Sequence, residues 1–405
     1  MQIGTPAGTT ADVVVSEVRP WGGEPVDVVV RNGRIEALSP VGSGRARTHV
    51  AGRGLLALPG IVNAHAHVDK SWWGQSWQSY GGEAGTEGRI RHERARRDEL
   101  GIPSVETTAR VLEQLVRHGT TAIRTHVDVD PGLGLRGIEV VREAVAAYDG
   151  ALGVEIVAFP QDGVLRRDGV VELLTQAAAA GVEHVGGLDP AGIDRDPVGQ
   201  LDALFGIAAE HGCGIDIHLH DPAELGAFQV ELVIERTERL GLAGRVNLAH
   251  GFALAQVGDA RRRDLLEAMG ELGITMTTVA PLRLPQLPLH ELDASGVAVA
   301  LGTDGIRDLW SPFGTGDTLG IAWQYARASG LVHDEDLRRV VELATSSAGR
   351  FVGREVHDLV PGAIADLVLV DAENPMDALV RTPPRALVMA AGRVLHGDDH
   401  DVGSQ

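Results

Sequence analysis

Residues 58–70 read LPGIVNAHAHVDK. An apolar run climbs into a His-x-His pair, His65 and His67, and three positions later stands Lys70. Side chains two apart on a strand share a face, so both imidazoles leave this segment on one side. An apolar strand ending in such groups fits a (β/α)8 barrel, where functional side chains gather at the C-terminal strand ends.

Seven more short apolar runs follow, each closing on polar residues: 121–129, 154–161, 183–189, 214–220, 245–250, 274–280 and 296–304. Between most of them lie amphipathic segments such as SVETTARVLEQLVRHG (104–119) and VGQLDALFGIAAEHG (198–212). Eight alternating units over residues 58–359 predict an α/β, TIM-like (β/α)8 barrel. The strand-closing residues are His65/His67, His126/Asp128, Gln161, Asp189, His218/His220, His250 and Asp304, whereas His92, His118 and His211 fall on helical segments. Residues 1–57 and 360–405 carry short alternating strands and turn residues. They predict one small, discontinuous β-sandwich domain built from both termini. The glycine-rich GGEAGTEG (81–88) reads as a mobile loop over the barrel mouth.

Composition narrows the function. The chain has 405 residues, 44% of them hydrophobic, and a net charge of −20. That charge argues against nucleic acid and anionic membranes as partners and favours a small-molecule ligand. No apolar run reaches the roughly 18 residues of a membrane span, and the first residues lack a signal-peptide pattern, so a cytoplasmic location is expected. One cysteine, Cys213, excludes an internal disulfide and the cysteine-pair zinc site of nucleic-acid base deaminases; it reads as a small buried hydrophobe. GLGLRG (132–137) matches the dinucleotide fingerprint only in spacing, since its strand ends in His and Asp. The basic run RIRHERARRDELG (89–101) is interrupted by acids and reads as a solvated helix.

Neutral imidazole is the commonest protein metal ligand. His65 and His67, joined by His218 at the end of the fifth strand and Asp304 at the end of the eighth, make a three-His, one-Asp set for one divalent ion. Such an ion would make hydroxide available near neutral pH. Three imidazoles and a carboxylate accept Zn2+ or Fe2+.

In this order and spacing, the set resembles the amidohydrolase superfamily: HAH on the first strand, His on the fifth and sixth, Asp on the eighth. The resemblance covers the whole chain, including the split β domain and PGAIADLVLV (361–370). The binuclear members carry a modified lysine on the fourth strand; here that strand is EHVGGLD, so the mononuclear type is expected. RTHVDVD, VAFPQDG and DIHLHD resemble the cytosine deaminase group. HAHVDKS, GGLDPA, HLHD and GIRDLWSPFGTGD are more similar still to the N-isopropylammelide isopropylamidohydrolase branch, which removes an alkylamine from a triazine. Cytosine deaminases carry glutamate where this chain has Asp221, which favours the triazine-like branch.

The resemblance implies a hydrolase that cleaves an exocyclic C–N bond on an N-heterocycle through metal-bound hydroxide, releasing amine or ammonia. Cytosine or isocytosine deamination is the alternative, and a non-catalytic metal-binding protein a distant one. Asp304 is expected as metal ligand and general base, and His250 as hydrogen-bond partner of the attacking oxygen. His220, Asp221 or Lys70 would deliver a proton. Lys70 is the chain's only lysine, which suggests a site needing a compact ammonium or an amine of shifted pKa. Gln161 offers both donor and acceptor to an amide-like ring edge. Trp72 and Trp310 are candidate stacking walls, and His126 and Asp128 orient a metal ligand, contact substrate or are simply satisfied polar residues. Members of this group are commonly oligomers, so a homo-oligomer is expected.

Overall fold

The chain enters the described structure, residues 11–397 and the backbone of 402–404 of a computed structural model, through five strands. These are β1 (Ala11–Pro20), β2 (Val26–Arg31), β3 (Arg34–Pro40), β4 (Ala46–Ala51) and β5 (Leu56–Pro59). Residues 1–10, 398–401 and 405, all within the expected small domain, lie outside the described residues. The next eight strands are β6 (Ile61–Ala66), β7 (Thr120–Asp128), β8 (Gly153–Phe159), β9 (His184–Leu188), β10 (Gly214–Leu219), β11 (Val246–His250), β12 (Thr275–Thr278) and β13 (Val299–Leu301). Each falls within or against one of the eight apolar runs, and all pair in parallel in chain order. A parallel bridge between Ala66 and Asp304, with the Asp304 N–H donating to the His65 carbonyl at 3.0 Å, joins the last strand to the first. The molecule is therefore a TIM-like α/β barrel with a separate mixed sheet.

Helices alternate with the barrel strands: α1 (Thr86–Arg96) and α2 (Val105–Arg117) follow β6, and α3 (Arg136–Ala146) follows β7. Then come α4 (Val170–Ala179), α5 (Pro197–His211), α6 (Ala223–Arg239), α7 (Asp259–Glu271) and α8 (Leu289–Ser295), with α9 (Thr318–Ala328) and α10 (Asp334–Glu342) after β13. Local sequence sets their ends. Ser104 caps α2 by accepting from the Thr107 N–H, and Val111, Leu112, Leu115 and Val116 form its buried face. Asp196 caps α5, Pro197 opens it, and Gly212 ends it in the left-handed region.

The second sheet returns after the barrel with β14 (Leu367–Val370), β15 (Arg385–Ala390), β16 (Arg393–Gly397) and β17 (Val402–Ser404). β5 lies between β1 and β14, so strands from both ends of the chain meet there. Val15, Val18, Val28, Val30 and Ile35 fill the core beneath it. The seam with the barrel is polar. Gly60 N–H donates to the Asp366 carbonyl at 3.0 Å, His357 Nε2 lies 2.7 Å from the Gly60 carbonyl, and Arg354 pairs with the Asp366 carboxylate.

Inside the barrel, Arg124 on β7 pairs with Asp216 on β10 at 3.1 Å and Glu155 on β8 at 3.0 Å, while Asn247 donates to Asp216 at 2.9 Å. Arg124 and Asp216 lie one step below His126 and His218 in the period-two alternation, so a paired ionic layer supports the site above.

Candidate active site at the barrel mouth

His65 and His67 leave β6 beside the seam with β13. His67 Nε2 lies 3.2 Å from Asp304 Oδ1, His65 Nε2 3.6 Å from the same oxygen, and His218 Nε2 3.3 Å from His67 Nε2. The structure thus brings together the four residues read as ligands. Both His65 nitrogens and Nδ1 of His67 and His218 are buried without a hydrogen-bond partner. Burial, reinforced by the Lys70 charge, pushes His67 down to about 3, and burial with neighbouring imidazoles holds His218 well below the usual range. Burial alone would raise Asp304, yet the imidazoles of His65 and His67 beside it hold it well below the usual carboxyl range. Neutral imidazoles with free lone pairs around an ionised carboxylate fit a divalent cation.

His126 stands behind this set, its ring 4.2 Å from that of His65 and 4.5 Å from that of His218, both nitrogens unpartnered. His65, His126 and His218 form a second ligand-competent trio that shares two members with the first set. His126 is fully buried and does not line the cavity, so it is placed to touch ligands rather than substrate.

His250 and Asp304 share a backbone feature that strand periodicity does not show. Their φ values are 71° and 60°, in the left-handed region. Asn247 faces inward, so plain alternation from it would turn His250 outward; the left-handed twist aims it at the site instead. Such residues store strain of order 1–3 kcal/mol and cluster at functional sites. Both His250 nitrogens lack protein partners.

The cavity above the cluster holds about 390 Å³. His67, His218, His250 and Asp304 form its floor, and Gln161, Lys70, His220 and Trp310 face it from the sides. Phe159 lies flat against His218 at 4.2 Å, with Phe252, Val279, Pro281 and Leu284 making an apolar flank. His220 stacks on His250 at 4.4 Å, and its Nδ1 lies 3.0 Å from Asp189 Oδ2. Although burial opposes it, the Asp189 charge raises the His220 pKa above its ordinary value, so His220 can carry a proton into the cavity.

Three sequence expectations need correction. Asp221 does not line this cavity: its Oδ2 accepts from Gly192 N–H and Gln229 Nε2, both at 2.9 Å, which holds the carboxylate in the β10–α6 turn. Trp72 is not a stacking wall. It is 1% exposed, with the Arg307 guanidinium 4.2 Å over its ring and Trp77 edge-on at 5.6 Å. Asp128 is likewise shut off from the cavity, and its Oδ1 holds Lys70 Nζ at 2.7 Å.

Lys70 reaches the cavity as a cation. Burial lowers its pKa, but Asp128, Glu93 and Asp69 together raise it above the ordinary lysine value. The surrounding carboxyls cannot all be ionised beside one ammonium. Burial outweighs Lys70 and lifts Asp128 to about 8, Asp69 to about 7 and Asp308 to about 6.

Sequence reasoning missed Glu93. The run 89–101 is not simply a solvated helix: within α1, Gly88, Ile90 and Glu93 are buried, and Gly85, Thr86 and Arg89 border the cavity. Glu93 accepts from Gln161 Nε2 at 3.2 Å and from the Trp310 indole, and its Oε1 lies 3.6 Å from Lys70 Nζ. The i, i+3 spacing of Ile90 and Glu93 was the available signal. Asp308, which accepts from the Trp310 and Ser311 N–H groups, was missed as well.

The model of the amidohydrolase family matches residues 105–396. The crystal structure of N-isopropylammelide isopropylaminohydrolase from Burkholderia multivorans ATCC 17616 is 38% identical, with a TM-score of 0.89 covering 95% of this chain and 98% of that one. N-isopropylammelide isopropyl amidohydrolase of Pseudomonas sp. strain ADP is 28% identical over 92% of this chain and 94% of its own length. An Escherichia coli K12 protein of uncharacterised activity, YahJ, is 32% identical over 91% of this chain and 82% of its own.

Proposed function

The chain belongs to the amidohydrolase family and is a hydrolase of carbon–nitrogen bonds, and on that premise we propose that it removes an exocyclic amine from a triazine-like N-heterocycle. The observation that carries this reading is the convergence of His65, His67, His218 and Asp304 at the base of a cavity, the last three lining its floor, whose side walls offer amide, imidazole and ammonium groups. The two N-isopropylammelide relatives favour an alkylamine as the leaving group.

A divalent ion held by those four residues, zinc or ferrous iron, would supply Lewis acidity and lower the pKa of water to the neutral range. Asp304, ionised and partly open to the cavity, takes a proton from the attacking water. His250 offers a hydrogen bond to the oxygen that adds to the ring carbon. His220, backed by Asp189, returns a proton from Nε2 to the ring nitrogen or the departing amine. Lys70 Nζ places positive charge beside the ring as electron density moves onto its nitrogens. Trp310 closes one side of the heterocycle slot.

The test uses zinc-replete and iron-replete protein against N-isopropylammelide, ammelide, cytosine and isocytosine, with isopropylamine and ammonia quantified separately. Isopropylamine from N-isopropylammelide is the expected outcome. Ammonia from cytosine or isocytosine would replace this reading with a deaminase, and metal binding without turnover of any of the four would overturn it.

A further inference from the structure

Glu93 sits where α1 crosses the barrel mouth. It is 3% exposed, and three groups from elsewhere in the fold converge on its carboxylate. The Trp310 indole approaches Oε2 from the segment after β13, the Gln161 amide reaches the same oxygen from the end of β8 at 3.2 Å, and Lys70 Nζ faces Oε1 at 3.6 Å. An indole N–H can only donate, and an ammonium can only donate. Oε2 of Glu93 is thus engaged as an acceptor while Oε1 is ion-paired with the ammonium, and the end of Gln161 beside Oε2 must be its NH2. The amide has no freedom to turn over, because reversal would set its carbonyl against the carboxylate. Its Oε1 has no protein hydrogen-bond partner among the described residues and is not sealed from the cavity, which Gln161 lines.

We propose that Glu93 is a positioning residue that fixes the polarity of Gln161, so that the cavity presents an amide carbonyl and selects heterocycles offering a ring N–H, the lactam form, over those offering only a ring acceptor. The inference rests on the reading of the site as a heterocycle site and adds which edge of the ring is recognised. The physical basis is asymmetric: a buried acceptor facing another acceptor loses its hydrogen bond and adds repulsion, and sites built around one hydrogen-bond polarity reject the wrong partner strongly.

The experiment is binding rather than turnover, on the zinc-replete full chain, read by quenching of tryptophan fluorescence. The probes are cyanuric acid, which offers ring N–H groups, and its N,N′,N″-trimethyl derivative, which keeps the carbonyls and offers none. A methyl-bearing ring is also larger, so the same pair is titrated against Gln161→Leu to separate size from polarity. We expect the wild-type protein to prefer cyanuric acid at least tenfold, and Gln161→Leu and Glu93→Ala to reduce that preference to threefold or less. Glu93→Gln, the same size as the parent, removes the charge that forbids reversal and so frees the facing amides to turn over together. It should likewise lower the preference to threefold or less while overall affinity for cyanuric acid falls less, which a merely structural role for Glu93 would not predict, and it serves as the deciding variant if Glu93→Ala does not fold. A full preference retained in Glu93→Gln, or in a folded Glu93→Ala, overturns the proposal. Equal binding of both probes by the wild-type protein overturns it while leaving the heterocycle reading intact; binding of neither overturns both.

Discussion

Lys70 is a single ammonium set among Asp69, Glu93, Asp128 and Asp308, and much of the site's electrostatics follows from that ratio. Removing one partner of a buried ion pair typically costs about 3–5 kcal/mol, because the remaining charge is left uncompensated. Lys70→Met is therefore expected to lower unfolding free energy by about 3 kcal/mol in urea at pH 8, and by less at pH 5.5, where the carboxyls accept protons. Lys70→Arg, with a planar fork in place of a compact cation, should fold and yet lose at least tenfold in kcat/KM at saturating zinc. Asp128 gives a separate pH dependence. Its pKa is about 8 in the folded protein against about 3.9 in an unfolded chain. Between those values the native state holds the extra proton, so this group makes stability fall as pH rises. Urea melts from pH 5 to 8 should show a shallower decline in Asp128→Asn than in the parent. At this scale the sequence was partly legible. Lys70 announced itself by being the only lysine, whereas Glu93 was hidden among arginines because only the fold turns that one charged residue inward beside Ile90.

The eight strands could be read along the chain because each is an apolar run bounded by polar residues, and α2 and α5 because their caps and apolar faces are local features. The seam between β6 and β13 depends on a close approach that no local pattern reveals. A Cβ at Gly302 would lie 2.4 Å from His65 Cβ and 2.5 Å from the His65 carbonyl oxygen. Glycine lets the last strand come that near the first. Gly302→Ala should push the segment carrying Asp304 away from His65 and His67. Zinc affinity is expected to fall at least tenfold, measured by competition with a chromogenic chelator, with the far-ultraviolet circular dichroism spectrum retained. The turn of His250 and Asp304 into the left-handed region was equally invisible to periodicity, which predicts alternation and nothing else. α1 escaped the solvated-helix reading for a related reason: three buried positions among so many charges leave little apolar signal.

Across the whole molecule, the candidate ligand set draws together β6, β10 and β13, strands distant in sequence. Binding to the folded state alone stabilises it by RT ln(1 + [L]/Kd), about 4 kcal/mol when free metal exceeds Kd a thousandfold. Stripping the metal with a chelator should lower Tm by several degrees in calorimetry, and adding back zinc should restore it. The two-sheet arrangement was legible because the alternating strands at both ends demanded a shared core, while the Gly60–His357–Asp366 seam fastening it to the barrel arises only from tertiary placement. One consequence of the lone buried lysine reaches beyond the site. Apart from the chain's α-amine, the folded protein offers no accessible amine to an acylating reagent, since Lys70 is 5% exposed beneath its carboxyls. An amine-reactive mass tag would therefore act as a single-site clock: each molecule labelled at Lys70 records one occasion on which the clasp formed by α1 sprang open.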